Sequence, residues 1–335
     1  MIYHIALRGI VALALGLFLS AAAHAQLFRT YIAPDGNDAN PCTLAAPCRL
    51  LPAALATVID GGEIWMLGSA NYNTGPVNIA KSVTILAVPG ALGSVVALGG
   101  NAINIATANV KVSLRNLVIV PFVGGGGTNG INMTAGASLT VENCLIANLP
   151  LKGIVVTGPT NVLVTDTTIR GNGSDGILLE NGARGTVTRA RISRNGDTGV
   201  YAQGTSASTT TIDIADSTLS SNSNGVYAFS INAGAVLKVS IRDSQVVANP
   251  NYGVVVDSTA SAAVTISVSN NIISNNNIGI AALSAGTRVV ASGNTISNNG
   301  VGLSNATGLL ESAVDNAIRN NNFQTLGTIT TISKM

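Results

Sequence analysis

The sequence predicts an all-β solenoid in which short parallel strands stack coil upon coil. Three observations predict it. A glycine followed by an apolar residue recurs at Gly130, Gly153, Gly176, Gly199, Gly225, Gly253, Gly279 and Gly302, evenly at first and then at slightly wider intervals. An asparagine column runs in phase with it: Asn172, Asn195, Asn222, Asn249, Asn276, Asn299 and Asn321. No unit carries a helical period; short apolar segments such as Val162-Leu163-Val164 alternate with Asn, Gly, Asp and Ser turns. Each unit is too short to fold alone, so stacking is what buries a continuous apolar column.

Composition narrows the class. Of the 335 residues, 10% are charged, against about 25% in an average soluble domain. Mean hydropathy is +0.43, yet no long charge-free apolar run follows residue 25, which excludes a polytopic membrane protein. An apolar fraction of 47% excludes a disordered chain. The balance of 17 basic and 15 acidic residues argues against nucleic acid as the main partner.

Residues 1–25 read as a secretory signal peptide. Arg8 supplies the basic start, Ile10 to Ala23 the apolar run, and Ala23-His24-Ala25 the cleavage signal. Export places the rest in a secreted or periplasmic setting with no integral membrane segment. Cleavage also removes His4 and His24, the only histidines. Ser-His-Asp and Cys-His machinery and His-based metal sites are thereby excluded.

Residues 26–80 read as a cap. Thr30-Tyr31-Ile32 is a strand, and Cys42 and Cys48 flank a Pro-bounded loop that an oxidising compartment would close as a disulfide. A short helix is expected over Leu50 to Ile59, stopped by Asp60-Gly61-Gly62, before the strand at Glu63-Ile64-Trp65-Met66-Leu67. The helix is expected to cover the open end of the stack. Asp35, Asn37, Asp38 and Asn40 could ligate calcium, although such Asx runs are commonly turn chemistry; no other cofactor and no metal site is read. Cys144 reads as a small buried apolar residue.

Residues 81–335 then form roughly 9–10 coils. A further column three residues upstream of the Ile/Leu/Val column is mostly Asp or Asn (Asn116, Asn143, Asp166, Asp216, Asp243, Asn270), with Arg189 and Gly293 as exceptions. That column asks for a turn-capping acceptor. The Asn172 column is expected to combine left-handed backbone with amides hydrogen-bonded up the stack. These columns in phase resemble the right-handed parallel β-helix, the pectin-lyase-like fold. The lead-in Tyr31-Ile32-Ala33-Pro34-Asp35-Gly36-Asn37-Asp38, followed by Gly61-Gly62-Glu63-Ile64, is similar to that of secreted bacterial β-helix proteins. The resemblance implies fold more than function, because this scaffold hosts lyases, hydrolases, adhesins and passive binders.

Strand alternation sorts the candidate site residues. The first residue after each repeat glycine is apolar, the third nearly always so, and both point inward; the second and fourth point outward. Glu180, Tyr201, Gln203, Tyr227, Phe229 and Asp257 therefore share an outer strip suited to a sugar, with rings to stack and polar edges to take hydroxyls. Cross-strand packing would explain the same rings. Glu180 and Asp257 lie three coils apart, roughly 14 Å, too far for a glycosidase pair. A basic cluster gathers Arg170, Arg184, Arg189, Arg191 and Arg194, with Lys152 one coil earlier and Asp166, Asp175 and Asp197 interspersed. Arginine can act in β-elimination on a uronate; a surface salt-bridge network is the other reading. The preferred function is a secreted, non-catalytic surface or carbohydrate-interaction module with a polysaccharide partner. The alternative is a uronate lyase with a non-standard active site.

Overall fold

The computed structural model describes residues 27–259 and 262–333; the expected signal peptide lies outside them. The chain winds through three parallel sheets of 13, 11 and 11 strands. Every coil visits the first, second and third sheet in turn, as in Asn161–Thr165, Thr168–Arg170 and Ile177–Glu180. Eleven complete coils run from Val58 to Leu326. Ten of them start beyond residue 80. The eleventh, built from Val58–Met66, Ala70–Asn71 and Val77–Ile79, falls inside the segment read as cap; neither its third strand nor that of the next coil, Ile103–Ile105, follows a glycine.

The apolar columns form one core. Ile146, Ile169, Ile192, Leu219, Val246, Ile273 and Ile296 are fully buried, in register on successive strands of the second sheet. The repeat glycine has a packing reason. A Cβ on Gly199 would stand 2.7 Å from the carbonyl oxygen of Gly225 one coil on, and the same near-contact recurs at Gly176 and Gly253. Only glycine lets the coils approach this closely.

The asparagine column is a buried ladder. Asn172 Nδ2 donates to Asn195 Oδ1 at 2.9 Å, Asn195 to Asn222 at 2.9 Å, Asn249 to Asn276 at 2.9 Å and Asn299 to Asn321 at 2.9 Å. Each Oδ1 also accepts a backbone N–H from the preceding coil, as Asn222 does from Asn195. The left-handed backbone expected of these asparagines lies elsewhere. It falls one residue earlier, at Arg194, Ser221, Ala248, Asn275, Asn298 and Asn320, all with φ between 55° and 58°. The ladder residues are kept for their amides, and the strain of the corner is carried by their neighbours. The Asp/Asn column forms the other tight corner: Asn116, Asp166, Asp216, Asp243 and the exception Arg189 all have positive φ, from 49° to 57°, and Gly293 has 68°.

Ala248, with φ 58°, gives the first test. Left-handed backbone costs a non-glycine residue about 1–2 kcal/mol, partly offset by glycine's greater chain entropy. Ala248→Gly is expected to raise stability by about 0.5–1 kcal/mol in a urea titration; a lowered midpoint would show that the corner is not strained.

The first strand, Leu27–Ile32 (β1), extends the first sheet beyond the coils by pairing with Val58–Met66. The helix α1 is Leu51–Thr57, shorter than expected. Strand begins at once at Val58 and runs through Asp60-Gly61-Gly62, accommodating them by a register irregularity between Leu27 and Arg29. Asp38 Oδ1 accepts the N–H groups of Arg49 and Leu50, both at 2.8 Å, at the start of α1. Asn37 Oδ1 accepts from Ala39 at 2.9 Å. Asn40 Nδ2 donates to Pro47 O at 2.8 Å, so three of the four candidate calcium ligands are engaged in local turn bonds. Leu51 and Ala54 of α1 join the core and close its end. Cys42 and Cys48 are disulfide-bonded, with Cα atoms 4.6 Å apart, beside the bridge from Ile32 to Cys48.

Cys144 is free and buried, and burial pushes its thiol up to about 12. A thiol reagent at mildly alkaline pH is therefore expected to leave native protein unmodified and to label Cys144 alone after unfolding. Labelling at the native rate of a free thiol would show that the coil opens at this corner.

Candidate functional site

The outer strip lies on the third sheet. Glu180, Gln203, Phe229 and Asp257 are direct neighbours in one register row. Tyr201 and Tyr227 are neighbours in the row two residues earlier, flanked by Leu178 and Val255. All six predicted strip residues are half-buried and outward. Leu178 and Val255 also point outward yet are buried, at 6% and 1% exposure, beside the tyrosine rings. Three of the four strands carrying the strip are the longest of the sheet: Thr198–Gly204, Asn224–Ser230 and Tyr252–Ser258 have 7 residues each, against 4 in Ile177–Glu180, which carries Glu180. The longer intervals from Gly199 to Gly225 and from Gly225 to Gly253 in the sequence mark this widening.

Ring geometry departs from a flat platform. Tyr201 and Tyr227 are stacked, with centroids 5.4 Å apart and planes at 16°. Near-parallel rings this close cannot lie side by side in one plane, so their facing sides are closed to a ligand. Phe229 leans on Tyr227 at 5.7 Å and 35°. The strip is a ridge that offers ring edges, hydroxyls and its outer flanks. Both roles weighed from sequence, ring packing and an aromatic-polar surface, coexist in it.

Carboxylates surround the ridge. Tyr227 Oη donates to Asp257 Oδ2 at 3.3 Å, and Ser284 Oγ donates to the other oxygen of Asp257. Thr157 Oγ1 donates to Glu180 Oε1 at 2.8 Å. Burial, then Asp175, Asp197, Glu180 and Asp257, hold the Tyr201 phenol well above its ordinary range. Burial followed by Asp257 does the same for Tyr227. Both phenols stay protonated donors.

Beside Tyr201 the structure assembles a polar group drawn from successive coils, each member lying just before a repeat glycine. Lys152 Nζ meets Asp175 Oδ2 at 2.9 Å; the Asp175 side chain is 2% exposed. Asp175 Oδ1 also accepts the N–H of Thr198 at 3.2 Å. Asn224 Nδ2 reaches Asp197 Oδ1 at 3.3 Å. Loss of hydration at the corner and then the charge of Asp175 raise the Asp197 carboxyl above its usual range. The signal was available: Lys152, Asp175, Thr198, Asn224 and Tyr252 each precede a repeat glycine.

The basic cluster is dispersed. Arg184 begins a first-sheet strand, Arg170 and Arg191 lie on the second sheet, and Arg189 and Arg194 occupy left-handed corners. Its only ion pair among the described residues joins Arg189 to Asp166 at 2.7 Å, which holds Asp166 below the usual carboxylate range. None of the five shares the third sheet with the strip. No group of His, Cys, Asp and Glu among the described residues has a metal-binding arrangement, and no helix there is long and apolar enough to cross a membrane.

Comparison with known proteins places this architecture. The family described as "Right handed beta helix region" matches residues 101–266, and the chain has the fold of the pectate-lyase-like right-handed β-helix proteins. Among solved structures it is similar to pectate lyase Pel9A, with a TM-score of 0.62, 18% identity, and coverage of 88% of this chain and 79% of that one. The Dettilon tailspike protein gives 0.59 at 15% identity, covering 90% of this chain and 68% of its own. A lacto-N-biosidase from Eubacterium ramulus gives 0.59 at 10% identity, covering 91% and 68%. No curated protein matches the chain in sequence.

Proposed function

We propose that the protein is an exported carbohydrate-interaction module that holds a neutral, hydroxyl-rich glycan along the third sheet. The observation that carries this reading is the ridge of Tyr201, Tyr227 and Phe229, edged in register by Glu180, Gln203 and Asp257. Ring edges supply apolar contact, and carboxylate and amide oxygens accept sugar hydroxyls. A disulfide suits an oxidising compartment. The named functions of the similar structures, a pectate lyase and a lacto-N-biosidase among them, support a sugar ligand.

Charge separates this reading from uronate elimination. Asp175, Asp197, Glu180 and Asp257 all act on the Tyr201 phenol through their charge, and the one lysine of the group is already matched to Asp175. A uronate chain would meet repulsion here, and the five arginines lie off this sheet. The test is a glycan array followed by the triple variant Tyr201→Ala, Tyr227→Ala, Phe229→Ala. The variant is expected to keep its far-UV circular dichroism and lose binding to neutral glycans, each ring contributing on the order of 1 kcal/mol. Neutral-glycan binding unchanged in the triple variant, or release of unsaturated uronate from pectate with or without calcium, would overturn the reading.

A further inference from the structure

The first sheet carries a second surface, on a different face from the aromatic ridge. Two depressions of about 390 and 300 Å³ lie along its outer side. Both are lined by Ser138 and Thr140, so they form one continuous groove. It runs from Gly61 in the first coil to Thr211 in the seventh, about 29 Å at roughly 4.8 Å per coil.

One register column of this face carries cations separated by one or two neutral polar groups. In coil order it reads Lys111, Ser138, Asn161, Arg184, Thr211, Lys238, Thr265, Arg288. The column contains no acid. Arg288 is paired with Glu311 at 2.6 Å. Among the described residues, Lys111, Arg184 and Lys238 have no carboxylate at ion-pair distance, and all three are exposed. Asp213, the acid on the groove wall, is engaged by Ser240 Oγ at 2.5 Å. Leu163, 38% exposed, gives the floor an apolar spot between Thr140 and Thr186.

We propose that this groove, with Lys238 in the coil just beyond it, binds a linear acidic polysaccharide lying along the solenoid axis. Its anionic groups, carboxylate or sulfate, pair with Lys111, Arg184 and Lys238, and its hydroxyls meet Ser138, Asn161 and Thr211. The rise of one coil is close to the length of one pyranose unit in an extended chain, so each coil offers one polar contact per sugar. Lys111 and Arg184 stand three coils apart, roughly 14 Å, and Arg184 and Lys238 two coils apart, roughly 10 Å, which presents charge to every third and then every second unit. A nucleic acid is the poorer fit, because no aromatic side chain lines the groove to stack a base. The assignment is independent of the ridge on the third sheet.

The test uses the full chain in affinity electrophoresis with polygalacturonate, dextran sulfate, neutral mannan and poly(dT). Polygalacturonate, dextran sulfate or both are expected to retard the protein, the stronger of the two naming the anionic group, and added salt should weaken the effect. Arg184→Glu with Lys238→Glu is expected to bind about tenfold more weakly; Arg184→Gln with Lys238→Gln, milder at the surface, should fall between. The triple alanine variant of the ridge should bind the acidic polymers as the parent does, which separates this surface from the one on the third sheet. Retardation unaffected by either double variant, absence of retardation by both acidic polymers, or equal and equally sensitive retardation by poly(dT) would overturn the proposal.

Discussion

Val200→Asp is expected to leave the protein unfolded, while Tyr201→Asp, one residue along, folds. Val200 is fully buried and sits in register between Ile177 and Val226. A carboxylate there has no partner, and burying it costs several kcal/mol even if it takes up a proton, against a total stability of about 5–15 kcal/mol. Tyr201 points outward, so its replacement gives up the stack on Tyr227 and some burial, about 1–2 kcal/mol, and the repulsion from Asp175, Asp197 and Glu180 is screened by solvent at this half-exposed position. Far-UV circular dichroism with a urea titration reads both. Should Val200→Asp fold normally and Tyr201→Asp fail, the inward and outward rows are exchanged, and the ridge with everything built on it is lost.

Asn222→Ala is the second large effect. Asn222 Oδ1 accepts from Asn195 N at 3.1 Å and Asn195 Nδ2 at 2.9 Å, and its Nδ2 donates to Ile192 O at 3.1 Å. Asn222 is 0% exposed, so truncation strands three buried polar groups. Each orphaned group costs about 1–3 kcal/mol, and a loss of about 3 kcal/mol or more is expected from the urea midpoint. The neighbouring Ser221, at the strained corner itself, should accept glycine without loss. A penalty under about 1 kcal/mol for Asn222→Ala would mean that the ladder follows the stacking of coils without holding it.

The path of the backbone was readable because its determinants are periodic. Alternation placed Ile177 inward and Leu178 outward, and the glycine column placed them on successive coils; the observed pairing of Tyr201 with Tyr227 and of Gln203 with Phe229 follows from those two rules. What alternation cannot report is the torsion of a side chain. The stack of Tyr201 on Tyr227, which closes the ring faces expected to meet a sugar, depends on that torsion. Proximity in sequence also misled. The stretch from Arg170 to Arg194 is a little more than one turn of the solenoid, so consecutive arginines are carried around successive corners onto different faces. Conversely, Lys152 and Asp175 are a whole repeat apart in sequence and in contact, because one repeat is one rise. The asparagine ladder was legible as hydrogen bonding, but its left-handed strain was displaced by one residue, a distinction that composition of a single column does not contain.

The lengthened coils have a bearing on how such a molecule can change over generations. Where the repeat grows, between Gly199 and Gly253, the second-sheet strands remain at 3 residues, as in Thr218–Ser220 and Gln245–Val247. The added length enters at the corner between the third and first sheets, where strands reach 7 residues on both sides. An insertion there is converted into breadth of surface, and the pairing of every other strand is untouched. The scaffold thus tolerates exploration at one corner while its other two corners, fixed by left-handed residues and the amide column, keep the reading frame of the stack. Novelty in binding can accumulate at that corner without being filtered out by loss of the fold.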